Sequence, residues 1–308
     1  MSDPNATWLI ADVGATSSRC ALLDAGRIEN VRVFRNNDWA GLADLLSSYL
    51  EEAGQAADHA ALAVAAPVDG DDIVMCNRNW SFSASSFRSL GLDRVEIIND
   101  FHAIAYALPK FGDDTRAEIG SSLQYRQGNI AVLGPGSGLG MAAWIDGCAA
   151  MSGEGGHVTL SARNSDEDRI IARLRDEYGH CSAERVLSGP GLAALYKAMH
   201  GTAIDSPETI TTNPAEPQHA ETLEQFFRFL AGAAADLALI TGAYGGVYIA
   251  GGIVPACIDV IRTSGFRARF EDKNRYTNYM RAIPTWVITD PYPGLTGLSG
   301  FIDTLARR

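Results

Sequence analysis

The chain has 308 residues, with 25 Lys+Arg against 37 Asp+Glu and a formal net charge of −12 at neutral pH. Hydrophobic residues make up 46% and charged residues 20%, which excludes an intrinsically disordered chain, and the length fits two domains of about 100–200 residues each. The acidic surplus excludes nucleic acid and anionic membrane surfaces as partners, because both need clustered positive charge.

The N-terminal stretch through Ala6 lacks the basic region of a signal peptide. Residues 8–11 and 19–23 then predict two short buried strands, with 13–18 as the turn between them. Asp24-Ala-Gly-Arg27 turns the chain into a third strand near 31–34. Leu42, Leu45, Leu46, Tyr49 and Leu50 follow the spacing of a helix with one apolar face. Residues 61–66 form a continuous apolar run, as expected of a strand covered on both sides. A helix near 83–90, a strand at 95–98 and a helix at 101–108 complete the order β-β-β-α-β-α-β-α.

The second half opens the same way. Strands are predicted at 129–133 and 141–145, around a glycine-rich turn, and helices near 166–178, 192–199 and 221–240. Residues 201–218, rich in Thr, Pro and Glu, read as a surface excursion. Residues 237–258 carry no charge and are long enough to span a bilayer, but they include six glycines or prolines. A helix ending near Gly242, a strand at 247–250 and a glycine turn fit better, in a soluble, cytoplasmic protein. The five cysteines, at 20, 76, 148, 181 and 257, form no Cys-x-x-Cys and read as small buried hydrophobes in a reducing compartment.

Four segments carry chemistry. In Asp12-Val-Gly-Ala-Thr16, small residues let backbone N–H groups approach a phosphate, Thr16 adds a hydroxyl, and Asp12 is placed to hold Mg²⁺ through water. A plain hairpin with a polar turn is the simpler alternative. Gly134-Pro-Gly-Ser-Gly-Leu-Gly140 has neither the Lys-Ser/Thr ending of a P-loop nor the Gly-x-Gly-x-x-Gly spacing, which leaves a backbone cradle or a flexible loop. Asn99-Asp100 ends an apolar strand just before a helix, the edge of an α/β sheet where ligands bind, and also a place where such residues cap helices. Gly153-Glu154-Gly-Gly-His157, followed by Ser182-Ala-Glu184-Arg185, offers an accessible acid and histidine. The bland alternatives are a satisfied buried His157 and a helix N-terminal Glu184. There is no His-Glu-x-x-His zinc pattern.

On these residues the chain resembles the bacterial glucokinases of the hexokinase–actin–sugar kinase superfamily, in the group lacking a zinc-binding cysteine cluster. The resemblance covers 12–16, 77–82, 96–101, 134–140, 153–157 and 182–191. It resumes at 245–255, 264–268, 270–273 and 293–295, and the blocks 182–191 and 245–255 are its most specific parts. It implies two α/β domains with actin-like (ribonuclease-H-like) cores, mixed sheets and a sugar cleft between them, divided as 1–109 plus 298–308, and 110–297. The implied reaction is ATP-dependent phosphorylation of glucose at its 6-hydroxyl. Asp100 falls on the catalytic base, and Asn99, Asp100, Glu154, His157 and Glu184 on the sugar ligands. Ala11, Asp12, Val13, Gly14, Ala15 and Thr16 match one phosphate loop and Gly136, Ser137 and Gly138 the other; Gly251 and Gly252 match the loop beside adenosine. Asp12 would hold Mg²⁺.

The chemistry of a neutral polyol, which needs acceptors rather than cations, agrees with those acids. The family's first loop usually reads Asp-x-Gly-Gly-Thr-Asn, whereas this chain has Ala15 and Ser17. An Ala15 forced to positive φ would cost about 1 kcal/mol and weaken ATP binding; otherwise the loop is in an ordinary conformation. The rival readings are a kinase for another hexose (fructose, mannose or an amino sugar) and a sugar-sensing binding protein without turnover. A homodimer is the default assembly.

Overall fold

The structure is a computed structural model and describes residues 6–75, 78–121 and 126–306. Cys76, and Asn77 of the resemblance, lie outside the described residues, as does the N-terminal stretch 1–5. The chain divides into two compact units, Met1–Phe111 with Asp290–Arg308, and Gly112–Thr289.

The first unit runs β1 (Trp8–Val13), β2 (Ser17–Asp24), β3 (Arg27–Arg35), α1 (Leu42–Ala53), β4 (His59–Val64), a small hairpin β5 (Asp72–Val74) and β6 (Ser81–Ser83), β7 (Arg94–Asn99) and α2 (Asp100–Ala107). Its main sheet has the order β3-β2-β1-β4-β7, antiparallel through β1–β3 and parallel from β1 to β7. Strand β4 is buried along nearly its whole length, which is why its sequence reads as unbroken apolar residues. Leu9, Leu22, Leu45, Leu46, Tyr49, Leu62 and Phe87 pack on one side of this sheet. Each such side chain contributes roughly 1.5–3 kcal/mol on burial.

The second unit repeats the plan. It contains β8 (Arg116–Glu118), β9 (Ile130–Pro135), β10 (Leu139–Ile145), β11 (Ala149–Gly153), α3 (Ser165–Tyr178), α4 (Gly189–His200), α5 (Pro207–Thr212) and α6 (Pro217–Thr241). Then follow β12 (Gly246–Ile249), the short helices α7 (Ile253–Ala256), α8 (Ile258–Thr263), α9 (Phe266–Glu271) and α10 (Thr277–Arg281), and β13 (Thr285–Ile288). The sheet order β11-β10-β9-β12-β13 matches the first unit strand for strand, with β8 added antiparallel at the edge. The two hairpins with small-residue turns are thus equivalent positions of a duplicated architecture. The uncharged run 237–258 is the end of α6, closed by left-handed Gly242, followed by β12 and the glycine turn. Among the described residues no helix is long and apolar enough to cross a membrane.

Three expectations change. The excursion 201–218 contains α5, because Ser206 caps a Pro-Glu start and buried Ile210 anchors the turn. Cys20, Cys181 and Cys257 are buried, but Cys148, in the β10–β11 turn, is exposed. The return to the first unit begins at Asp290 rather than 298, because α11 (Pro293–Leu305) is one uninterrupted helix. That helix lies backbone to backbone on α2: a Cβ at Gly297 would come within 2.0 Å of the Ala103 carbonyl oxygen, and one at Gly300 within 2.6 Å of Tyr106's.

Candidate active site

In the first unit, Val13, Val64 and Asn99 align in one row across the parallel strands β1, β4 and β7. Strand β7 passes directly into α2, so Asn99 is both the last strand residue and the helix N-cap. Its Oδ1 accepts from Phe101 N (2.9 Å) and His102 N (3.1 Å), and its Nδ2 donates to Ala66 O at 3.3 Å. Capping is therefore real, and it fixes where the next residue points. Asp100 accepts from Phe101 N through Oδ1 at 2.8 Å. Burial pushes its pKa up to about 7, with the nearby Asp12 carboxylate adding to the rise and hydrogen bonds from backbone N–H groups and Asn99 opposing it.

Asp12 stands at the end of β1, one position before that row. Burial raises its pKa, and Arg19, at 4.0 Å, opposes the shift. Among the described residues no hydrogen-bond donor reaches its carboxylate. Gly294, in the first turn of α11, makes room for it: a Cβ there would lie 2.6 Å from the Asp12 Cγ. Two neighbouring carboxylates with free oxygens suit a hard, hydrated cation such as Mg²⁺.

The turn Gly14-Ala15-Thr16 closes with Gly14 N donating to Ser17 O at 3.1 Å. Among the described residues, the non-glycine positions at positive φ are Ala25, Asn30, Asp146 and Asn274. Ala15 is not one of them, so the strain expected from its methyl does not arise. Ser17 brings no amide to this turn; the buried Asn36 does, through Nδ2 to Gly14 O at 2.8 Å. No periodicity or motif marks Asn36 in the sequence. Ala11 and Val13 are fully buried strand residues and offer a nucleotide no side chain.

In the second unit the turn Gly136-Ser137-Gly138 joins β9 to β10 and is held from three sides. Gly189 N, opening α4, donates to Gly136 O at 2.8 Å. Glu184 Oε2 accepts from Leu139 N at 2.8 Å and lies where a Gly138 Cβ would be. Gly251, at φ +84° just past β12, abuts the Pro135 carbonyl oxygen so closely that a Cβ would meet it at 2.2 Å. That close approach and the left-handed φ both require glycine. Gly252 follows, exposed, as the residue before α7.

Residues 156–160 and 181–184 run side by side through Glu184 N to Gly156 O (2.9 Å), Ala183 N to Val158 O (2.8 Å) and Leu160 N to Cys181 O (3.0 Å). This pairing carries Glu154 and His157 beside Glu184. Glu154 and His157 are exposed, which removes the buried-histidine alternative. Glu184 sits in a turn before α4 rather than in its first turn, which removes the dipole alternative. A cavity of about 430 Å³ in the same unit is lined by Met141, Gly153, Gly155, Val158, Phe229 and Leu237, among others. Its mostly apolar wall is unsuited to a polyol, and none of the expected ligands lines it. Among the described residues no cluster of three or more His, Cys, Asp or Glu is arranged for a metal.

The glucokinase family model matches residues 9–305. The chain belongs to the glucokinase family. It is 41% identical to a glucokinase of Paramagnetospirillum magneticum, covering 96% of this chain and 97% of that one. Identity to a glucokinase of Psychromonas ingrahamii is 37%, covering 96% of each. The crystal structure of a glucokinase from an Antarctic psychrotroph superposes with a TM-score of 0.85 at 34% identity, over 96% of this chain and 98% of that one. The two-domain, actin-like α/β fold of the glucokinase family is therefore the fold of this chain, and the enzyme class is that of the family.

Proposed function

We propose that the protein transfers the γ-phosphoryl group of ATP to the 6-hydroxyl of glucose, giving glucose 6-phosphate and ADP. The observation that carries this reading is Asp100: a carboxylate at the ligand edge of a sheet, fixed by the Asn99 cap, with a pKa about 7. The sugar O6 attacks the γ-phosphorus as the bond to the β,γ-bridging oxygen breaks, and the O6 proton passes to Asp100. A base of that pKa is matched to neutral pH, and late proton transfer asks no more of it.

Asn99, Glu154, His157 and Glu184 serve the other sugar hydroxyls as acceptors and donors. Glu184 has one oxygen committed to Leu139 N and the other available. The 14–16 and 136–138 turns take the phosphates with backbone N–H groups, so no lysine clamp is needed. Gly252 has open space where a side chain would stand, and with Gly251 it would line the adenosine side. Asp12 would hold Mg²⁺ through water, and the cation would neutralise phosphate charge. We infer a cytoplasmic homodimer.

A coupled ADP-release assay across glucose, fructose, mannose and amino sugars, with Asp100→Asn as control, tests the reading. Turnover strongest with glucose and lost in the variant is the expected result. Preference for another hexose moves the substrate assignment; glucose binding without ADP release from any sugar replaces the kinase with a sensor.

A further inference from the structure

Asn36 is a fully buried polar residue that takes no part in the chemistry above. It follows β3 at the start of a single 3₁₀ turn, and its hydrogen bonds converge on the 14–16 turn. Its backbone N–H donates to Thr16 O at 2.9 Å, and its Nδ2 donates to Gly14 O at 2.8 Å. Its Oδ1 accepts from the Ser18 hydroxyl at 2.7 Å. Arg78 holds the base of this brace. The guanidinium donates to the Asn36 carbonyl and to Asn37 Oδ1, and lies over the Trp80 ring at 4.1 Å from its centre.

With the carbonyls of Gly14 and Thr16 tied down, the N–H groups of Ala15 and Thr16 have no acceptor among the described residues. Successive N–H groups left free on a fixed turn are the donors from which anion-binding concavities are built. We propose that Asn36 is the positioning residue of this turn, holding the Ala15 and Thr16 N–H groups in place for the phosphates of ATP. The role rests on the phosphoryl-transfer reading. It requires an amide: aspartate has the same shape, but it lacks the donor to Gly14 O and sets an oxygen against that carbonyl, freeing the turn to rotate.

Asn36→Asp is therefore the test. The KM for ATP, and the dissociation constant of a fluorescent ATP analogue, should each rise roughly tenfold, the scale of one buried hydrogen bond replaced by an unsatisfied group. The KM for glucose should stay within about twofold, which general damage to the fold would not allow. Ser18→Ala, which removes the hydroxyl orienting Oδ1, should weaken ATP by about threefold with the same selectivity. Unchanged ATP constants in folded Asn36→Asp, or equal weakening of both substrates, overturns the proposal. Should that variant not fold, Ser18→Ala decides alone, with a selective ATP defect supporting the role and its absence overturning it. Failure of the wild type to release ADP with any sugar sinks the kinase reading instead, and the analogue titration still decides the role of Asn36.

Discussion

Asp100 keeps its proton to about pH 7 because it is withdrawn from water and faces a second carboxylate, Asp12. A base must be ionised to act, so kcat/KM should fall with a one-proton slope below about pH 7 and level off above it. Asp100→Asn should lower kcat by about 10²–10⁴-fold and remove that limb. Asp12→Asn should move the limb of the residual activity to lower pH, since the Asp12 charge raises the Asp100 pKa; a limb that stays in place would show that Asp12 is not the coupled charge. Stability has its own sign. The Asp100 pKa is higher folded than unfolded, so the contribution is complete below the unfolded value and is lost as pH rises through about 7. Asp100→Asn should therefore melt above the wild type at pH 8, with the gap closing as the pH falls toward 4, as thermal scans at several pH values would reveal. Ala15→Gly should leave the KM for ATP within about twofold, because position 15 carries no left-handed strain for glycine to relieve.

At the scale of elements, the contact of α11 with α2 and β1 depends on glycines three residues apart, at 294, 297 and 300. Valine at 297 would press into the Ala103 carbonyl, and neither backbone can move away without disturbing the Asn99 cap or the Asp12 carboxylate. The expected cost is about 1–3 kcal/mol or more, measured as a shift of the denaturation midpoint in urea. Much of this level was legible beforehand. The β1–β2 and β9–β10 hairpins, α1, β4, α3 and α6 followed from period and apolar runs, since each buries a whole face of its own. Strands β8, β11 and β13 did not stand out, because they are short and their identity comes from the neighbour they pair with. Among the residues proposed for the site, Asp100, Glu154 and Glu184 are readable in the sequence as acids among glycines or at strand ends. Asn36 and Gly294 were not, since each acts on a residue far away in sequence. The sequence also left open whether the Ala15 methyl is strained, and the structure gives it no left-handed conformation.

The whole molecule is one architecture used twice, with the same five-strand order in each unit, and the two turns proposed to take the phosphates are equivalent hairpin turns. On the proposed reading, repetition lets an acidic chain address phosphate, because the donors are backbone groups, which carry no formal charge. It also identifies what the C-terminal segment does. Removing 290–308 should abolish ADP release. It should also raise hydrogen exchange in β1, β4 and α2, against which α11 packs, while β9 and β12 stay protected. Uniform loss of protection would mean that the two units do not fold separately.

The placement of α11 has a further consequence, for how the protein is made. Helix α2 ends at Ala107 and its partner begins only at Pro293, with the entire second unit encoded between them. At about 5–20 residues per second, the wait on the ribosome is on the order of 10–40 s. Throughout it the apolar face that Leu295, Leu298 and Phe301 will cover stays open, and the later unit gains its last strand, β13, before α11 emerges. The half begun first is finished last, so aggregation during synthesis is expected to start from the nascent N-terminal half.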